Sequence, residues 1–372
     1  MKTEVKIPGK IYAVGGCVRD EILGVPSNDI DYVVVGASPD AMIESGFTMV
    51  GADFPVFLHP STKDEYALAR TERKTGHGYN GFQVYAAPDV TLEEDLMRRD
   101  FTMNAIAKDI STGEYTDPYG GQHDLKHGIL RHVSNAFADD PLRVLRGARF
   151  VATYDLQVAP DTYQLMSHLC ESGEMNHLVP ERVRVEFEKG FNCGNPLKMW
   201  HVLDDLNVLP VLFPPEMCKD ATYEKVLSRS AGWNHVQTWA ALVYEAYPKG
   251  TVEEYKQLMM DYKLPRDVVY LASTIQKYHD VETVAQQLDF WTRSDARRQH
   301  DLWVQGLEVA QRLRPADAPM DWKQVHSICM SVEQGVIAEQ LKAAGRNVAK
   351  ELPLEVHAQR LALLDQSNSP AP

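Results

Sequence analysis

The apolar pattern of this 372-residue chain changes character once, near Asp139, and that change dictates a molecule built in two styles. Before it lie short β-branched or alternating segments separated by glycine, the pattern of strands in an α/β unit. Strands are expected over residues 10–14, 30–35, 66–70, 82–86, 102–110 and 128–133, with a helix over 17–23 that stops at Gly24. After it, Pro141 sits just inside a helix start with Asp139 and Asp140 as cap candidates, and Leu142, Val144, Leu145, Ala148 and Phe150 follow at helical spacing. The remainder reads as helices broken by prolines, the densest group being Pro210, Pro214 and Pro215. The length suits two or three units. The expected division is an α/β part over 1–137, helical parts over 138–215 and 216–366, and a disordered tail over 367–372.

Composition narrows the function classes. With 38 Lys and Arg against 52 Asp and Glu, the formal charge is −14, which excludes coating nucleic acid by bulk electrostatics. A polyanionic partner has to meet a local basic patch. The five cysteines are far apart and in no metal-ligand spacing, so neither a disulfide framework nor a zinc site is expected. No apolar run has the length of a signal peptide or a membrane span, and the expected location is the cytoplasm.

The chemistry concentrates in Val14-Gly-Gly-Cys-Val-Arg-Asp20, followed by Asp29-Ile-Asp31. A strand, two glycines and a helix N-terminus let backbone N–H groups approach an anion, and Arg19 in the first helical turn adds a bidentate phosphate donor, so Gly16 and Arg19 are assigned to nucleotide binding. Asp29 and Asp31, two apart on a strand, point to one face, where their repulsion calls for a cation. Hard oxygen ligands beside a phosphate cradle fit Mg²⁺ shared with a triphosphate. Further on, Arg98 and Arg99 stand beside Asp100, which either completes a metal site or holds an arginine in place. Asp140 and Arg143, three apart on the expected helix, share a face. A carboxylate beside guanidinium donors matches the edge of cytosine or adenine and mismatches uracil and guanine.

These segments resemble the motifs of the class II CCA-adding enzymes and the related bacterial poly(A) polymerases. The resemblance rests on Gly15-Gly-x-Val-Arg-Asp20 with Asp29-x-Asp31, then Arg98-Arg-Asp-Phe-Thr-Met-Asn-Ala105, Asp117-Pro-Tyr-Gly-Gly121, Asp139-Asp-Pro-Leu-Arg-Val-Leu-Arg146 and Pro180-Glu-Arg-Val183 with Glu186. It implies a polymerase-β-like nucleotidyltransferase head with a mixed α/β sheet, followed by an all-α neck, body and tail. It implies template-independent addition of C, C and A to the 3′ end of tRNA from CTP and ATP, with release of pyrophosphate. Asp29 and Asp31 would be the catalytic metal carboxylates. One of Arg98 and Arg99, with Arg99 favoured, would contact the nucleotide. Asp140, Arg143 and Arg146 would read the base, and the neighbourhood of Asp117–Gly121 would act as a hinge. Where the family usually has Glu, this chain has Asp139.

From about residue 225 the chain resembles the branch whose C-terminal module is a metal-dependent HD phosphohydrolase. Tyr244-Glu245 stands where that module carries its His-Asp pair, so a degenerate module that contacts tRNA is expected. His279-Asp280, with His235 upstream, offers a rearranged site at best. The alternatives are poly(A) addition, C-only or A-only addition, a non-catalytic RNA-binding protein and a phosphohydrolase. No obligate protein partner is evident.

Overall fold

The computed structural model describes residues 7–27, 29–51, 56–74, 82–278, 281–315 and 321–368. The chain forms two compact units, 1–212 and 213–372.

The first unit begins with β1 (Lys10–Val14), α1 (Gly16–Leu23), β2 (Asp31–Val35), α2 (Pro39–Glu44), β3 (Thr48–Val50), β4 (Val56–Leu58), β5 (Glu65–Leu68), β6 (Thr71–Lys74) and β7 (Phe82–Tyr85). It continues through α3 (Leu92–Met97), β8 (Ala107–Asp109), β9 (Tyr115–Thr116), α4 (Gly121–Lys126) and β10 (Ile129–Leu130). Seven strands form a mixed sheet in the order β3-β4-β5-β2-β1-β8-β9, while β6 and β7 pair apart. Only the β2–β5 contact in this sheet is parallel.

The run Tyr32–Val35 is apolar because β2 is central and covered on both faces. Val33 packs with Val14, Leu96 and Ala107, and Val34 packs on the opposite side with Met42, Phe47 and Phe57. The antiparallel register sets Val14 opposite Asp31, which brings the glycine turn at the end of β1 beside the first residue of β2. Gly15 there has φ +75°, a region that disfavours side chains, and Gly24 ends α1 at φ +70°.

Two of the strands expected in this unit differ. The strand expected over 30–35 starts at Asp31, so Asp29 lies in the preceding loop, where Ser27 donates to its carbonyl. Of the strand expected over 102–110, only Ala107–Asp109 is extended, and residues 102–104 form a 3₁₀ turn. Their polar side chains have tertiary partners: Thr102 donates to Asp124, and Asn104 to Asp100. A Cβ on Gly121 would lie 2.2 Å from the Thr102 carbonyl oxygen, so this turn and α4 approach as closely as glycine permits. The Asp117 carboxylate accepts the N–H groups of Gly121 and Gln122 and thereby caps α4.

Helices complete the unit: α5 (Leu142–Tyr154), then the short β11 (Gln157–Val158) paired with β10, α6 (Pro160–Glu171), α7 (Pro180–Phe191), α8 (Pro196–Asp205) and α9 (Leu209–Leu212). Along α5, Leu142, Val144, Leu145, Ala148 and Val151 are buried, as the sequence spacing requires. Asp140 lies before this helix in extended conformation and caps it through the Leu142 N–H at 3.1 Å. The expectation that Asp140 and Arg143 share one helix is therefore corrected.

The second unit is helical: α10 (Asp220–Leu227), α11 (His235–Ala246), α12 (Val252–Asp261), α13 (Asp267–Tyr278), α14 (Val284–Arg293), α15 (His300–Leu313), α16 (Trp322–Ser331), α17 (Gln334–Ala343) and α18 (Val348–Asn368). Capping boxes at Asn234, Thr251 and Thr283 start three of them. Tyr244 is buried in α11, and the neighbouring Glu245 is taken up by Lys225, whose Nζ lies 2.7 Å from both carboxylate oxygens. Ser367 and Asn368, expected in the tail, belong to α18. His279 and Asp280 lie outside the described residues.

Candidate active site

A cavity of about 530 Å³ opens in the first unit where the sheet meets α5 and α7. Eight cationic side chains line it, from Arg19, Arg98, Arg99, Arg143, Arg146, Arg149, Arg182 and Lys189, against the carboxylates of Asp31, Asp100 and Asp140. This is the local basic patch that a chain of charge −14 requires for a polyanion.

At its floor lie Gly15, Gly16 and Asp31. Surrounding protein raises the pKa of the Asp31 carboxyl, Arg99 lowers it, and Asp29 raises it again, so the two carboxylates do feel each other. Asp29 itself does not line the cavity. Among the described residues, no group of three His, Cys, Asp or Glu side chains could hold a metal ion. Asp29 and Asp31 offer oxygen donors only, a type that suits a hard cation.

The arginine pair divides. Arg98 is saturated: it donates to the Arg70 carbonyl, to Glu72 at 2.8 Å and to Asp95 at 2.8 Å. Arg99 shares Asp95 through one nitrogen at 3.1 Å, its Nε is buried without a partner, and its other end reaches the Gly15 turn. Asp95 is wholly buried; burial opposes its charge, but Arg98 and Arg99 hold its pKa below the usual value. Arg99 is therefore the member of the pair that faces the glycine turn.

Arg19 is clamped rather than free. It donates to Asp20 at 2.9 Å and to the Asn104 side-chain amide oxygen Oδ1 at 2.7 Å, and its guanidinium lies 4.7 Å from the Tyr154 ring centre. The same side chain still flanks Gly16. It ties α1 to α5 as well as lining the cavity.

Asp100 holds an arginine. One oxygen accepts the Phe101 N–H and the Asn104 amide, and the other accepts Arg146 Nε at 2.8 Å. Burial favours the neutral acid, yet Arg146 and Asn104 outweigh it and bring the pKa to about 2. Arg146 is raised in turn by Asp100. Arg143 donates to the carbonyls of Ala136 at 2.9 Å and Arg98 at 2.6 Å, and burial lowers its pKa.

Helix α7 supplies a layer to which the sequence reading gave no role. Arg182 pairs with Asp140 at 2.8 Å, Glu186 accepts Arg149 at 2.6 Å and sits 3.7 Å from Arg146, and Lys189 lines the cavity. Their spacing of four and three residues was the available signal, since it places all three on one helical face.

Comparison with known proteins follows this geometry. Residues 11–131 match the poly A polymerase head domain, and residues 155–220 match the probable RNA and SrmB-binding site of polymerase A. A multifunctional CCA protein from Azoarcus sp. is 39% identical, with 95% of this chain and 96% of that protein aligned. The chain belongs to the multifunctional CCA protein family. Two further members, from Nitrosococcus oceani and Nitrosomonas europaea, are each 55% identical over 56% and 55% of the chain. In those alignments the chain spans about half the length of these relatives, 51% and 50%. The family fold is seen in the Bacillus stearothermophilus CCA-adding enzyme in complex with CTP, with TM-score 0.69, 23% identity and coverage of 96% and 89% of the two chains. It is seen again in the Thermotoga maritima CCA-adding enzyme complexed with tRNA, with TM-score 0.67, 23% identity and coverage of 97% and 88%. Both bear out a mixed-sheet head followed by a helical remainder.

Proposed function

We propose that this chain is a nucleotidyltransferase that adds C, C and A to the 3′ end of tRNA, using CTP and ATP and releasing pyrophosphate. One observation carries the reading: the Gly15–Gly16 turn, Asp31, Arg99 and the Asp140–Arg143 pair converge on a single cationic cavity.

Asp29 and Asp31 would hold Mg²⁺, to which their oxygen-only donor set is suited. When bound, the metal supplies neutralisation of triphosphate charge and acidification of the RNA 3′-hydroxyl. The backbone N–H groups at the start of α1, with Gly16, bind phosphate oxygens at the positive end of that helix. Arg99 supplies the guanidinium for the triphosphate, Arg98 fixes Asp95 and so orients Arg99, and Arg19 holds the turn against α5. Asp140 accepts an exocyclic amino hydrogen, while Arg143 and Arg146 donate to the ring nitrogen beside that amino group in cytosine or adenine, and to the cytosine carbonyl. No side chain is assigned as general base. The helical parts contact the tRNA by shape and phosphate, in keeping with the match at 155–220. Five cysteines in no disulfide agree with a cytoplasmic protein.

The test is incorporation of each nucleoside triphosphate into tRNA lacking its last three nucleotides. C from CTP alone, and A only after C, are expected, and Asp31→Ala lowers the rate roughly a thousandfold. Long tails of A alone would replace this reading with poly(A) addition. Unchanged incorporation by Asp31→Ala would overturn the metal assignment.

A further inference from the structure

The base-reading carboxylate is not free to choose its orientation. Arg182 Nη2 donates to Asp140 Oδ2 at 2.8 Å and Arg182 Nη1 reaches Oδ1 at 3.4 Å, while the Leu142 N–H holds Oδ1 at 3.1 Å. Among the described residues, Arg182 is the one side chain that hydrogen-bonds this carboxylate. Arg143 has its guanidinium pinned from elsewhere, by the carbonyls of Ala136 and Arg98. The two halves of the reader therefore have separate supports, and the carboxylate half depends on α7.

We propose that Arg182 is a positioning residue that sets base discrimination by holding the Asp140 carboxylate in one orientation. The inference rests on the function proposed above and adds a residue to it. An ionised carboxylate only accepts hydrogen bonds, and so it accepts the exocyclic amino group of cytosine or adenine. Uracil and guanine offer a carbonyl at the corresponding position, which an acceptor repels. If the carboxylate could rotate away from the base edge, water would take its place and donate to that carbonyl, and the rejection would weaken. The Arg182 guanidinium paired to the carboxylate opposes that rotation, and Oδ2, which accepts a single hydrogen bond, keeps a lone pair for the base. Arg182 lines the same cavity, so it is near enough to act while Asp140 makes the contact.

The experiment is single-nucleotide incorporation by the full chain into tRNA ending just before the first C, with CTP and UTP measured separately. Arg182→Ala is expected to lower the preference for CTP over UTP by roughly tenfold, mainly through KM, and Arg182→Lys to restore part of it. Inhibition by pyrophosphate reads the phosphate end of the cavity and should stay at the wild-type value. Asp140→Asn should relax the preference in the same direction, and the double substitution should add little beyond it, because the two residues act as one unit. An unchanged CTP-to-UTP ratio in Arg182→Ala, weaker pyrophosphate inhibition in parallel with the loss, or full additivity with Asp140→Asn would each overturn the inference. A wild-type chain that incorporates neither C nor A would overturn the underlying function as well.

Discussion

Replacing Asp100 by Asn removes a charge that the fold has committed to Arg146. The carboxylate is 6% exposed and accepts Arg146 at 2.8 Å through Nε and 2.6 Å through Nη2. Its pKa falls from 3.8 to about 2, so ionisation favours the folded state by about 2 kcal/mol at neutral pH. The sign follows from the depressed pKa: the contribution is complete above the unfolded value, and it is lost as pH falls through the folded one. The stability gap between wild type and Asp100→Asn should therefore be constant from pH 8 to about pH 5 and shrink to roughly half by about pH 3. Five of the six tryptophans lie in 213–372, so bulk fluorescence would report the wrong unit. Hydrogen exchange of the α5 amides reads the right one. A gap below about 0.5 kcal/mol at pH 7, or one that persists unchanged at low pH, would refute the assigned pairing.

Other outcomes follow from the same contacts. Gly15→Ala forces a side chain into φ +75° and sets its Cβ 3.1 Å from Arg99, so nucleotide KM should rise at least about tenfold with a stability loss near 1 kcal/mol. Gly121→Ala places a Cβ 2.2 Å from a backbone oxygen and should cost about 2–3 kcal/mol in urea denaturation followed by circular dichroism, with no change in base preference. Arg98→Ala leaves the buried Asp95 with Arg99 and the Arg70 N–H, and should lower stability by about 2–3 kcal/mol. Arg99→Ala should instead raise KM for CTP and ATP alike, and comparison of the two variants by steady-state kinetics and denaturation separates structural from nucleotide-facing arginine.

Much of the site was legible because its signals are local. The two glycines, Arg19 and the Asp29-x-Asp31 pair fall within 17 residues, and β-branched residues mark β2. Even so, the spacing placed Asp29 on the strand, whereas it lies in the loop, and it placed Asp140 on a helix that it caps from outside. Hydrophobic period locates an element well and its first residue poorly, since the backbone hydrogen bonds that open it depend on partners. The strand expected over 102–110 failed for a related reason: Thr102 and Asn104 have stronger side-chain partners elsewhere than a ladder would offer.

By itself the sequence determined an α/β part followed by helices, the glycine turn beside two carboxylates, and the order of motifs that mark the family. These depend on periodicity and spacing along the chain. Which charge serves which was decided only by tertiary structure: Asp100 holds Arg146 from 46 residues away, Arg182 holds Asp140 from 42, and Glu72 takes Arg98 from 26. An isolated Arg or Asp satisfies its hydrogen bonds equally well in water, so composition carries no preference among partners. Burial removes that water, and the fold then selects the few pairs whose geometry compensates for its loss.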